Sequence, residues 1–123
     1  MKISEAEAHI LEVFWRTAGP LSADEVIAAL GKRKDWSAGT VRTFLARLLK
    51  KKALAAARDG RRYLYRPLMR QGDYSHQQSR NLIDRLFGGR VAPFITQFSE
   101  RERLSREDIE ELKRLVRRLE HGR

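Results

Sequence analysis

The sequence predicts a mainly α-helical chain that contains one small β-hairpin. Apolar residues recur at intervals of three or four in six segments, the spacing of amphipathic helices. Capping residues begin several of these segments, and Gly or Pro follows several of them. Residues 54–67 break the helical period, because a β-prone run there follows the tight-turn dipeptide Asp59-Gly60. The predicted order is therefore three helices, a hairpin and three further helices.

Composition limits the class of protein. A chain of 123 residues can form one compact domain, or a small domain with a dimerising tail. No apolar run approaches the roughly 20 residues of a membrane span, and the N-terminus has no signal-peptide core, so we expect no membrane insertion and a cytoplasmic location. The absence of cysteine excludes disulfides, thiolate metal sites and thiol catalysis.

The positive charge is concentrated in the first half of the chain. Residues 1–70 carry 15 Lys and Arg against 7 Asp and Glu, whereas residues 71–123 carry 11 against 9. Such a basic half favours contact with nucleic-acid phosphates, although an anionic membrane surface would also attract it. The nearly neutral second half needs a different explanation.

The first two helices each begin at a capping box. Ser4 and Glu7 open a helix at about 5–17, which Gly19-Pro20 ends. Ser22 and Glu25 open a short second helix, which Gly31 stops, and residues 32–36 form a basic connection to the third. The apolar positions predicted to face inward are Ala6, Ile10, Val13 and Phe14, then Val26, Ile27 and Leu30.

The third helix lies within residues 35–52 and has two contrasting faces. Ser37 is its predicted N-cap, and Val41, Phe44, Leu45 and Leu48 form its apolar face. The rest of its surface carries small residues, hydroxyls and cations, which are groups that contact base edges and phosphates. A simpler interpretation is that the terminal lysines only complement the helix dipole. The candidate DNA-binding residues here are Ser37, Gly39, Thr40, Arg42, Thr43, Arg47, Lys50 and Lys51.

The hairpin is predicted at about 54–58 and 62–66. A hairpin behind three such helices is the wing of a winged helix-turn-helix domain. Arg58 lies near its tip with Arg61 and Arg62, and the last two are further candidate contacts to backbone phosphates. They are equally compatible with solvated arginines of a turn.

Residues 71–123 are predicted to form a helical dimerisation domain behind a winged-helix domain of residues 1–70. Helices are expected at about 73–87, 91–100 and 105–120, the last capped by Ser105. About fifty residues bury little surface alone, so self-association is the simplest remedy; folding back onto the winged domain is the alternative. The predicted dimerisation residues are Leu82, Leu86, Phe87, Phe94, Ile95, Phe98, Ile109, Leu112, Val116 and Leu119.

Several segments resemble the penicillinase repressor (BlaI/MecI/CopY) family of winged-helix repressors. The clearest match runs from Trp36 to Leu48, with the sequence Trp-Ser-Ala-Gly-Thr-Val-Arg-Thr-Phe-Leu-Ala-Arg-Leu. Residues 3–7, Trp15, 87–89 and 109–112 also match. The resemblance extends over nearly the whole chain and includes the order of the elements.

The resemblance implies a homodimeric repressor that binds a TACA/TGTA-type dyad operator. It further implies control of β-lactamase or other antibiotic-response genes, relieved by proteolysis that a membrane sensor peptidase signals. The well-known members are cleaved at an Asn–Phe bond, and the matching pair here is Gln97–Phe98. Gly39 stands where the family commonly has lysine, and the lack of cysteine excludes the copper-sensing cluster of some relatives.

Other function classes have less support in the sequence. The three histidines are scattered, and no phosphate-binding glycine loop is present, so we expect no enzyme, cofactor or metal site. The acidic residues near Glu107 occupy a helix start, where carboxylates are expected anyway. A winged helix that binds protein is the main alternative, but it should expose aromatic anchors on the polar face of residues 37–50, and the sequence has none there.

Overall fold

The computed structural model of the chain describes residues 2–31 and 35–122. The ends predicted for the first helix and the last three agree with the structure to within two residues. Within the predicted connection 32–36, residues 32–34 lie outside the described part. The helices are α1 (Glu5–Arg16), α2 (Ala23–Gly31), α3 (Ala38–Lys50), α4 (Gln71–Phe87), α5 (Val91–Arg101) and α6 (Arg106–His121).

The predicted hairpin is confirmed as the antiparallel strands β2 (Leu54–Asp59) and β3 (Arg62–Pro67). Gly60 takes a φ of +65° at the first position of the two-residue turn, a conformation that glycine adopts without strain. A third strand was not predicted: β1 (Leu21–Ser22) pairs with β3, which gives the sheet order β1-β3-β2. Two residues are too few for an alternating pattern to be recognised in the sequence.

The core lies between α1, α2, α3 and the sheet. Each helix contributes most of the apolar face that its periodicity predicts, whereas Ala6, Ile27 and Phe44 are only half-buried. Burying one such side chain stabilises the fold by about 1.5–3 kcal/mol relative to leaving it exposed. The residues at the centre are Ile10, Leu11, Val13, Phe14, Val26, Leu30, Val41, Leu45, Leu48 and Leu54.

Contacts divide the chain into two units, Met1–Gln77 and Gln78–Arg123. The first turns of α4 thus belong to the winged unit, a few residues beyond the predicted boundary at 70/71. One reason is the ring of Tyr74, whose centroid lies 5.7 Å from that of Trp15. The Trp15 indole also donates a hydrogen bond of 2.9 Å to the carbonyl oxygen of Met69.

The second unit is helical and buries very little of its apolar surface. No described residue between 78 and 122 is buried. The ring of Phe94 lies 5.4 Å from Phe87 and 6.1 Å from Phe98, measured between centroids. As predicted, the Ser105 hydroxyl caps α6 by accepting a hydrogen bond from the backbone N–H of Asp108.

Candidate nucleic-acid interface

The N-terminus of α3 is fixed by the predicted cap. The Ser37 hydroxyl oxygen accepts a hydrogen bond of 3.1 Å from the backbone N–H of Thr40, and the two hydroxyls lie 2.9 Å apart. Val41, Leu45 and Leu48 are buried, which fixes the rotation of the helix about its axis. The opposite face must therefore point away from the core.

That outward face carries the predicted residues. Gly39, Thr43, Arg47 and Lys50 are exposed, and Thr40 is half-buried. The Thr43 hydroxyl donates to the carbonyl oxygen of Gly39, which leaves its own oxygen available as an acceptor. A Cβ atom at position 39 would meet only the Ser37 hydroxyl oxygen, 3.8 Å away, so the surface is open at this point.

Arg47 and the aromatic residues near it are arranged so that the guanidinium stays accessible. Its central carbon lies 5.6 Å from the ring centroid of Phe44, a cation–π distance. Phe44 itself packs against Trp36, with 5.1 Å between ring centroids, and both rings are half-buried. The polar face of α3 therefore presents cations and hydroxyls and no fully exposed aromatic anchor.

Arg42 has a partner that the sequence did not indicate. Its Nη2 donates a hydrogen bond of 2.9 Å to a carboxylate oxygen of Asp24, in the first turn of α2. The pair joins α2 to α3 through two residues that are 18 positions apart in sequence, and no local spacing pattern could have revealed it.

The hairpin places its arginines beside this pair. Arg61 and Arg62 are exposed, and Arg62 Nη2 lies 3.6 Å from Asp59. Arg58 instead donates to the carbonyl oxygen of Gly60 and so supports the turn. A cleft between the start of α2, the third helix and the hairpin is lined by Ser22, Ala23, Asp24, Glu25, Arg42, Arg61, Arg62, Tyr63 and Tyr65.

Lys51, one of the predicted DNA contacts, has two partners within the chain. Its ammonium lies 2.5 Å from a carboxylate oxygen of Glu7 and donates a second hydrogen bond to the carbonyl oxygen of Lys2. Glu7 is only 1% exposed. Burial raises the pKa of Glu7, but the hydrogen bonds from Lys51 and Ser4 outweigh it and hold the pKa below its ordinary value. Lys51 therefore joins α3 to α1.

Among residues 2–31 and 35–122, no group of three or more His, Asp or Glu side chains is close enough to hold a metal ion. Within the same residues, no helix is both long and apolar enough to cross a bilayer. His9, the one histidine of α1, lies 3.3 Å from a carboxylate oxygen of Glu12 on the same helix.

Known sequences identify the family. The profile of the penicillinase repressor family matches residues 3–118. The chain belongs to the penicillinase repressor family. It is 34% identical to the penicillinase repressor of Bacillus licheniformis over 94% of this chain and 89% of the relative. It is 31% identical to the methicillin resistance regulatory protein MecI of Staphylococcus aureus strain N315, over 94% of this chain and 93% of the relative.

Solved structures from the penicillinase repressor family cover the winged unit. The solution structure of the DNA-binding domain of the repressor BlaI matches with a TM-score of 0.55 and 38% identity, over 59% of this chain and 88% of that chain. Monomeric BlaI of B. licheniformis in complex with the blaP half-operator matches with a TM-score of 0.53 and 38% identity, over 60% of this chain and 89% of that chain. The six helices and the three-stranded antiparallel sheet of the described residues, together with these matches, confirm the predicted winged helix.

Proposed function

We propose that this DNA-binding transcriptional repressor binds a TACA/TGTA-type dyad operator as a homodimer, with α3 in the major groove. The observation that carries the proposal is the polar, basic and exposed face of α3, opposite its buried apolar face. The solved complex of the BlaI relative with a half-operator supports DNA as the partner.

Each exposed group has a role that suits its chemistry. Thr40, Arg42, Thr43 and Arg47 would enter the groove, while Gly39 allows a close approach of the backbone. Ser37 and the start of α3 would meet a phosphate, since a helix N-terminus favours anions. Lys50, Arg61 and Arg62 would add attraction to phosphates that does not depend on sequence.

The second unit is proposed as the dimerisation domain. Its apolar side chains remain accessible in a single chain: Leu86 is 60% exposed, and Val116 and Leu119 are 51% and 52% exposed. A row of exposed apolar residues on adjacent turns needs a partner surface, and a two-fold axis supplies an identical one. Such a dimer would place two copies of α3 about one DNA turn apart.

Release from the operator is proposed to follow cleavage between Gln97 and Phe98, signalled through a membrane sensor peptidase when an antibiotic is present. Both residues are exposed, and both lie within α5. A protease needs extended backbone, so cleavage would require local unwinding of this helix. The protein is proposed to act in the cytoplasm. Its proposed targets are genes of the antibiotic response.

Substitution of Arg47 tests the groove contact. We expect Arg47→Ala to weaken binding to the dyad by about 1–3 kcal/mol and to weaken binding to a scrambled duplex much less, because a base contact is lost. Arg47→Lys is the matched control, since it keeps the charge and removes the forked donor geometry. It should keep the salt dependence and lose most of the discrimination. Equal weakening on both duplexes by Arg47→Ala would assign Arg47 to the DNA backbone instead.

A further inference from the structure

The ion pair between Asp24 and Arg42 lies on the surface that the proposed function directs toward DNA. The Arg42 and Asp24 side chains are 56% and 86% exposed, and their closest atoms are 2.9 Å apart. Ion pairs this exposed contribute little to the free energy of unfolding, because water screens them and ordering two side chains costs entropy. The helix dipole at the start of α2 favours a carboxylate at this position, but stabilisation of the fold does not account for its pairing with Arg42.

We propose that Asp24 is a positioning residue that increases sequence discrimination by holding Arg42, an inference that rests on the proposed contact of α3 with the groove. The pair anchors Arg42 to the start of α2 through one donor, Nη2. A guanidinium has five N–H donors in a rigid fork, so the remaining donors stay available for a base edge. A side chain held in this way loses less conformational entropy when it meets a matching base.

The ion pair between Asp24 and Arg42 has a different effect on the affinity for random DNA. Binding without sequence preference depends on cations that settle on whichever phosphates are nearest. The Asp24 carboxylate holds Arg42 and offsets its charge, so this guanidinium is less free to settle on the nearest phosphate. Asp24 thus lowers affinity for random DNA more than affinity for the operator, and penalising the wrong ligand is an established route to specificity.

Glu25 provides an internal comparison. Both carboxylates occupy the first turn of α2, where the helix dipole favours a negative charge, and both line the cleft. The carboxylate of Glu25, however, accepts a hydrogen bond of 2.9 Å from the backbone N–H of Ser22, whereas Asp24 contacts Arg42. Removing each charge in turn separates the specific pairing from the general effect of charge.

The experiment measures binding of the full chain to dyad and scrambled duplexes at several salt concentrations. Asp24→Asn should lower the ratio of the two affinities by roughly three- to tenfold, mostly through tighter binding to the scrambled duplex. The freed Arg42 should also steepen the salt dependence on that duplex by about 0.9 in the log–log slope. Asp24→Glu, which retains a carboxylate, should restore most of the discrimination.

The controls decide whether the effect acts through Arg42. Glu25→Gln removes the same charge and keeps a side chain that can cap Ser22, so it should leave the affinity ratio nearly unchanged. In an Arg42→Ala background, Asp24→Asn should no longer alter the ratio. Equal effects of Asp24→Asn and Glu25→Gln, or an effect that persists without Arg42, would overturn the inference. Failure of the unaltered protein to prefer the dyad would instead contradict the proposed function.

Discussion

Lys50 and Lys51 are adjacent in sequence and have very different surroundings. Lys50 is exposed at the end of α3, whereas the ammonium of Lys51 contacts the buried carboxylate of Glu7. Both belong to a run of three lysines, and neither composition nor helical period distinguishes them. The packing of α1 on α3 is what gives Lys51 its carboxylate partner.

Removal of the Lys51 charge should destabilise the fold. We expect Lys51→Met to lower the free energy of unfolding by about 1–3 kcal/mol at neutral pH, because it leaves the Glu7 carboxylate buried without its cation. Lys50→Met is the matched control and should weaken DNA binding with little effect on stability. Urea denaturation of both variants measures the difference, and equal stabilities would contradict the structural role of Lys51.

The decrease in the free energy of unfolding caused by Lys51→Met should depend on pH in a defined direction. The pKa of Glu7 is lowered in the folded protein, so its ionised form stabilises the fold above the ordinary value of 4.5, and this contribution is lost as the pH falls through the folded pKa. Without Lys51 that pKa should be higher, because burial is then opposed only by the hydrogen bonds with Ser4. The difference between the two proteins should therefore be largest near neutral pH and shrink as the pH falls through the folded pKa of Glu7, first in the variant and then in the unaltered protein. Unfolding curves across this range would show a constant difference if Glu7 were not involved.

Gly39 is a single position at which stability and binding can both be increased. A side chain there meets only the Ser37 hydroxyl oxygen, at 3.8 Å, so Gly39→Ala should stabilise the protein by roughly 0.5–1 kcal/mol through helix propensity. Gly39→Lys should in addition steepen the salt dependence of operator binding by about 0.9, by adding one phosphate contact. An unchanged slope would place position 39 away from the DNA backbone.

Among the elements, α3 and the hairpin divide the proposed recognition between them. The rigid face of α3 presents hydroxyls and forked donors that can read bases, whereas Arg61 and Arg62 project from a short turn. We expect Arg61→Ala with Arg62→Ala to weaken binding to dyad and scrambled duplexes by the same factor. The salt slope should fall by up to about 1.8. A selective loss on the dyad would show that the hairpin reads sequence.

The same elements show what the sequence could predict. Repeated apolar spacing and caps such as Ser4 and Ser37 are local signals, and they predicted the ends of the first helix and the last three within two residues. Two contacts join distant segments and are contained in no local pattern: the pairing of β1 with β3, and the hydrogen bond from the Trp15 indole to the carbonyl oxygen of Met69. The face of α3 was predictable for the same reason as the helix, but the partners of Arg42 and Lys51 were not.

At the scale of the whole molecule, the apolar faces of the second unit support an assembly larger than one chain. A carboxylate on the α6 face should weaken association, so Val116→Glu should shift the protein from dimer to monomer in sedimentation velocity. Arg114→Glu places the same group about half a turn away on the opposite face and should leave the dimer intact. A Val116→Glu protein that stays dimeric would assign the interface to another surface.

The measurement that tests the central claim most directly is a titration of dyad and scrambled duplexes with the unaltered protein, with stoichiometry read by native mass spectrometry. We predict tight, saturable binding of two chains per dyad, and weak binding to the scrambled duplex that falls steeply with salt. Equal affinity for both duplexes would contradict the proposed operator. Absence of binding to either duplex at low salt would contradict a role of the α3 face in DNA recognition.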